Sequence, residues 1–119
     1  MVAFAKSNAL GVHLLSWQVG NVNEIGVGAQ HLLGAGHSKG RGLGRHILGS
    51  NHFHYVREPW GSYSEHSSGV DYVPVEVDWP AADNDPEDSF CVWGPNPPED
   101  FMHNYEANMT DAPARPIAS

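Results

Sequence analysis

Helical periodicity occurs once in this chain, and that constrains its fold more than any other feature. In "NVNEIGVGAQHLLGAGH", Ile25, Ala29, Leu32 and Leu33 fall at i, i+4, i+7 and i+8 and form one apolar stripe. Asn23 is read as the N-cap, with Glu24 in the first turn, and Gly36 as the C-terminal stop. Gly26, Gly28 and Gly34 lower the intrinsic propensity, so the helix needs tertiary packing to persist. Ahead of it, "GVHLLSWQVG" (Gly11 to Gly20) reads as a strand bounded by glycines. Behind it, "SKGRGLGR" reads as a flexible connector, without the Lys-Ser/Thr ending of a phosphate-binding loop. "HILGS", "HFHYVRE" and "SYSEHSS" then read as three short strands. Glu58-Pro59-Trp60-Gly61 turns between the last two, with Trp60 expected as a packing anchor. The result is a single α+β unit of order βαβββ over residues 11–69, after a lead-in of residues 1–10. One helix covers one face of such a sheet. The other face must be buried by a partner module, by the rest of the chain or by a second copy.

The rest of the chain differs in kind. Residues 1–70 carry three acids and five bases, whereas residues 71–119 carry eleven acids and one base, Arg115. The proline-rich stretch from "DYVPVEVDW" onward keeps Tyr72, Trp79, Phe90 and Trp93, too many aromatics for plain disorder. It is read as an extended acidic arm over 70–107, with a loose tail over 108–119. The net charge of −8 disfavours nucleic acid, whose phosphates need Lys and Arg, and there is no polybasic patch for an anionic membrane. No apolar run approaches the length of a transmembrane helix, and the N-terminus does not read as a secretory signal. One cysteine, Cys91, excludes an internal disulfide and suits a reducing, cytoplasmic setting. No base is placed near it in sequence, so it is read as inert. In such a setting the glycosylation pattern at Asn108-Met109-Thr110 is read as chance.

Strand parity sorts the chemistry. His13, Leu15, Trp17 and Val19 share an apolar face expected to meet the helix, while Leu14, Ser16 and Gln18 share a more polar one. Tyr55, Tyr63 and Glu65 build an aromatic and carboxylate wall suited to a pocket. His52, His54 and His66 lie opposite it and are read as surface or packing residues, as are His31 and His37 at the helix. No Ser-His-Asp order, paired cysteines or His-Glu-x-x-His signature is present.

"GLGRHILGSNHFHYVREPWGSYSEH" resembles the last βαβββ module of type I extradiol ring-cleavage dioxygenases, members of the vicinal oxygen chelate superfamily. The matching pieces are Arg45-His46, Tyr55 nine residues later, Pro59 and Gly61 in the turn, and Glu65. The resemblance spans roughly His13 to Tyr105. It implies cleavage of a catechol-type aromatic diol with O2 at an Fe(II), occasionally Mn(II), held by two histidines and one glutamate. Carried over, Glu65 is the carboxylate ligand, His46 an acid-base or oxygen-stabilising histidine, and Tyr55 the active-site tyrosine.

The sequence departs from that pattern at its first strand. Where the family shows two histidines and the second ligates, this chain has His13-Leu14. A leucine cannot ligate iron, and His13 could serve only if a twist or bulge turned it into the cleft. The other ligand histidine belongs to the preceding module in the family. The resemblance therefore leaves two readings: the catalytic module of an extradiol dioxygenase, or a truncated or diverged module that at most binds a small molecule or dimerises. A homo-oligomer is expected. A symmetric dimer would join two copies of Glu65 and of Leu14 and suit a hard cation at best.

Overall fold

The computed structural model of the chain describes residues 4–80, 83–85 and 90–108; Asn108-Met109-Thr110 and the tail thus lie almost wholly outside the described residues. The elements are β1 (Leu14–Gln18), α1 (Val22–Gly34), β2 (Gly40–Arg45), β3 (His52–Arg57) and β4 (Tyr63–Ser68), with a 3-10 turn at Tyr105–Asn108. The sheet order is β1-β4-β3-β2. β1 runs parallel to β4, and the remaining pairs are antiparallel. The βαβββ order is the expected one, with three local differences.

The helix begins two residues earlier than its pattern suggests. Asn21, not Asn23, is the N-cap: its Oδ1 accepts from the Glu24 N–H at 3.1 Å, and Glu24 Oε2 accepts from the Gly20 N–H at 2.7 Å. The two side chains satisfy backbone donors in both directions, as in a capping box. The second difference lies after the helix, where the glycine-rich stretch is β2 rather than a connector. Its glycines admit what lies against it: a Cβ at Gly44 would sit 2.4 Å from the Phe53 ring and 2.9 Å from Trp93 O. The third follows from the second. "HILGS" is the turn from β2 to β3, closed by His46 N–H to Asn51 O at 2.9 Å and by positive φ at Gly49 and Ser50.

The helix buries Ile25 and brings Gly28 against His66, so it covers the face of β4, β3 and β2 that carries His54 and His66. It does not reach over the edge strand β1. Leu15 and Trp17, expected beneath it, stay about half exposed. Trp60 is also half exposed and anchors nothing in the core.

On the other face, Phe53, Tyr55 and Tyr63 form the core together with Phe101 of the arm. The arm attaches at several points. Trp93 bridges to Arg45 at the β2 edge. Asp100 accepts both from Arg57 at 2.7 Å and from the Tyr105 hydroxyl. Glu106 Oε1 accepts from Val12 N–H at 3.0 Å, and Asn104 Nδ2 donates to Ala9 O at 3.0 Å. Within the described residues, cover for the open sheet face comes from the arm.

Candidate functional site

Register places four polar side chains in a row across the sheet. Arg41 pairs with Tyr55, Tyr55 with Glu65, and Glu65 with Ser16, one residue from each strand. Paired residues share a face, so the row is a consequence of strand order. Three of the four are buried, Glu65 and Tyr55 on the inner strands at 6% and 5% exposure and Arg41 on the edge strand at 2%.

His46 joins this row from the first position after β2. Its Nε2 lies 2.9 Å from the Tyr55 hydroxyl and 3.5 Å from Glu65 Oε1, and its ring sits 4.2 Å from that of Phe53. His46 Nδ1 lies 2.9 Å from the Phe90 carbonyl oxygen. A carbonyl only accepts, which assigns the proton to Nδ1. A neutral His46 then offers Nε2 as an acceptor, and the Tyr55 hydroxyl donates to it.

Glu65 is held as a carboxylate. Burial pushes its pKa up, but bonding to His46 when Nε2 carries a proton, and to Ser16 and Tyr55, outweighs burial and holds it below the ordinary value. Tyr55 is driven well above its ordinary value by burial first, then by the charge and hydrogen bond of Glu65, against an opposing pull from Arg41. Among the described residues, Glu65 Oε1 is buried without a hydrogen-bond partner, and so is Arg41 Nη1.

This arrangement can pass a proton. Tyr55 has one hydroxyl proton and two acceptors within reach, His46 Nε2 and Glu65. When His46 is neutral, that proton lies toward Nε2. When His46 takes up a proton, Nε2–H donates to the Tyr55 oxygen, and the hydroxyl turns to Glu65.

Among the described residues, no three His, Cys, Asp or Glu side chains converge as a metal-binding group. Leu14 stands two residues before Ser16 on the Glu65 face, packed against the aromatic core. His13 is not where parity put it. It precedes the β1 ladder, is free of strand alternation, and donates from Nε2 to the Phe101 carbonyl at 2.8 Å with its ring edge-on to Phe101. It lies on the arm side of the sheet rather than under the helix, bonded to the backbone. Among the described residues, one carboxylate, a leucine and a histidine engaged elsewhere do not make an iron site.

Two participants were not evident from sequence. Arg41 lay hidden in the glycine stretch; its alternation with Leu43 and Arg45 is a strand signal that the glycines obscure. Phe90 acts through its backbone carbonyl, which carries no residue-type signal. An open depression beside the start of α1, lined by Val27, Gly28 and His31 among others, lies on the helix side of the sheet and holds none of these residues. No described helix is long and apolar enough to cross a membrane.

No family model matches the chain, and no solved structure matches it. It is 50% identical over 107 residues to metapyrocatechase 2 of Cupriavidus necator, a match covering 90% of this chain. The same match covers 33% of the relative, so the chain spans about a third of the length of the curated relative it matches.

Proposed function

We infer that this chain, a homologue of a metapyrocatechase and consistent with the C-terminal module of a type I extradiol dioxygenase, supplies the proton-handling half of a ring-cleaving site. The substrates in this reading are a catechol-type aromatic diol and O2, with Fe(II), or Mn(II) in its place, as the metal. The observation that carries it is the set of buried Glu65 and Tyr55 with half-buried His46, joined by hydrogen bonds on one face of the sheet. In this reading Tyr55 and His46 hold and move the proton of a diol hydroxyl, and Glu65 offers its buried, unpartnered Oε1 as one ligand oxygen. The remaining ligands come from outside the described residues, from another chain or from a second copy of this one, which makes assembly a condition of activity.

Anaerobic Fe(II) reconstitution, followed by oxygen uptake on adding catechol or 2,3-dihydroxybiphenyl, tests the reading. Near-stoichiometric iron with catechol-dependent uptake supports it. No retained iron and no uptake at any protein concentration refutes it for the chain acting alone or as a homo-oligomer.

Leu14 packed at the place of a ligand favours a second reading, a diverged module of the same fold without a metal centre. It binds at most a small aromatic, or dimerises.

A further inference from the structure

At arm residues 90–95 the attachment to the sheet includes one buried cation, Arg41. Arg41 Nε donates to the Pro95 carbonyl at 2.8 Å, and its Nη2 donates to Cys91 Sγ at 3.3 Å. Its guanidinium lies 4.4 Å from the centroid of the Phe53 ring and 5.4 Å from that of Phe90. One side chain on β2 thus touches three residues of the arm segment 90–95 together with a core ring. Two backbone bonds at Arg45 hold the same segment, Arg45 N–H to Trp93 O at 2.9 Å and Val92 N–H to Arg45 O at 2.8 Å. Within this segment is the Phe90 carbonyl that receives His46 Nδ1–H.

We propose that Arg41 is a positioning residue for His46: it clamps arm residues 90–95 onto β2, so that the Phe90 carbonyl fixes the tautomer in which His46 Nε2 faces Tyr55. The inference deepens the dioxygenase reading and rests on it for its catalytic meaning; the geometric claim does not. Three features fit a clamp better than simple core filling. Arg41 is buried among aromatics, where a leucine would cost less. Among the described residues it has no carboxylate partner, so burial is offset only by arm acceptors and ring faces. The bonded arm atoms, a carbonyl and a thiol, carry no charge that would recruit a cation nonspecifically. Lysine cannot replace this: a single ammonium lacks the planar fork that reaches Pro95 O and Cys91 Sγ together.

The test is the tautomer of His46 in the full chain, read by long-range proton–nitrogen NMR on 15N-histidine protein. His46 is assigned by the signal lost in His46→Gln. The parent chain is expected to hold neutral His46 as the Nδ1–H form. In Arg41→Met the ratio of the two tautomers is expected to shift by about two- to tenfold toward Nε2–H, the equilibrium weight of one net hydrogen bond. Arg41→Lys is expected to shift it in the same sense. It also decides the matter if Arg41→Met does not fold, with circular dichroism as the check on folding. A folded Arg41→Lys or Arg41→Met chain that keeps the parent tautomer ratio overturns the proposal. The readout needs neither iron nor substrate. Failure of the clamp is therefore distinguishable from failure of the dioxygenase reading, which shows as absent oxygen uptake in a chain whose His46 tautomer is intact.

Discussion

Replacing Phe101 by alanine tests whether the acidic arm is part of the core or merely lies on it. Phe101 is 5% exposed, although the arm that carries it is proline-rich and otherwise mostly exposed. Its ring lies 4.9 Å from Tyr63, 5.2 Å from Tyr55 and 5.0 Å from His13, centroid to centroid. Phe101→Ala removes one of four members of a small aromatic cluster and leaves a void between arm and sheet. A core Phe→Ala change costs about 3–5 kcal/mol, counting lost transfer energy and the residual cavity together. Whole-domain stability is about 5–15 kcal/mol, so this one side chain accounts for a large share. The assay is urea unfolding followed by tryptophan fluorescence. With a slope of about 1–3 kcal/mol/M, the midpoint is expected to fall by roughly 2 M. A loss below about 1 kcal/mol, near what a surface substitution gives, would refute the claim that the arm closes the core. A change confined to the slope would instead mean that the arm detaches while the sheet stands.

Three further outcomes follow from the same geometry. Leu14→His is expected to raise Fe(II) retention after anaerobic dialysis, because it restores a ligand type on the Glu65 face; equal retention in variant and parent would argue against a lost ligand position. Tyr55→Phe removes one of the groups that hold Glu65 below its ordinary pKa, so the Glu65 carboxyl is expected to titrate higher than in the parent by 13C NMR; an unchanged titration would mean Tyr55 does not bond it in solution. Stability is expected to fall in two steps on acidification. Burial, then the charge of His66, hold His54 below its ordinary 6.5, so the unfolded chain binds the proton first and stability declines as pH drops below about 6.5. Glu65, lowered from 4.5, contributes stability that is present above that value and is lost as pH falls through its folded pKa. His54→Gln should abolish the first step in pH-dependent thermal melts, and its persistence would reassign that step.

What could be read from sequence was what local geometry determines. The helix stripe, the β3–β4 hairpin and the shared face of Tyr55, Tyr63 and Glu65 follow from periods of 3.6 and 2 within runs of a few residues, and these are in place. Three differences share one cause, structure distant in sequence overriding a local signal, whereas the helix cap at Asn21 is a local difference. Glycines made β2 look like a connector because the reason for them, the Phe53 ring and the returning arm, lies distant in sequence. His13 was assigned by parity to the helix side, but the ladder starts at Leu14 and a carbonyl 88 residues away holds the ring. Trp17 was expected beneath a helix that the sheet order places over β4, β3 and β2 instead.

The same distinction separates the two halves of the site. The groups proposed to handle protons sit on adjoining strands of one hairpin and on the turn leading into it, so a segment of about twenty residues, from His46 to Glu65, carries all three close together. Such a set survives as long as the hairpin folds, because register alone aligns Tyr55 with Glu65. A metal centre has no comparable local support. In the dioxygenase reading its donors would come from β1, which meets β4 only through a crossover, and from residues beyond this sheet. At the β1 position the chain has Leu14, whose side chain packs against the aromatic core. Partial burial of that leucine stabilises the module by less than the about 1.5–3 kcal/mol of a fully buried leucine, whereas an unligated histidine there would be a half-buried polar ring in need of a partner. For a module that folds without metal, leucine is the better residue; for one that holds metal, histidine is. The residue at position 14 thus sets stability of the isolated fold against competence of the site, while Glu65, Tyr55 and His46 are compatible with both.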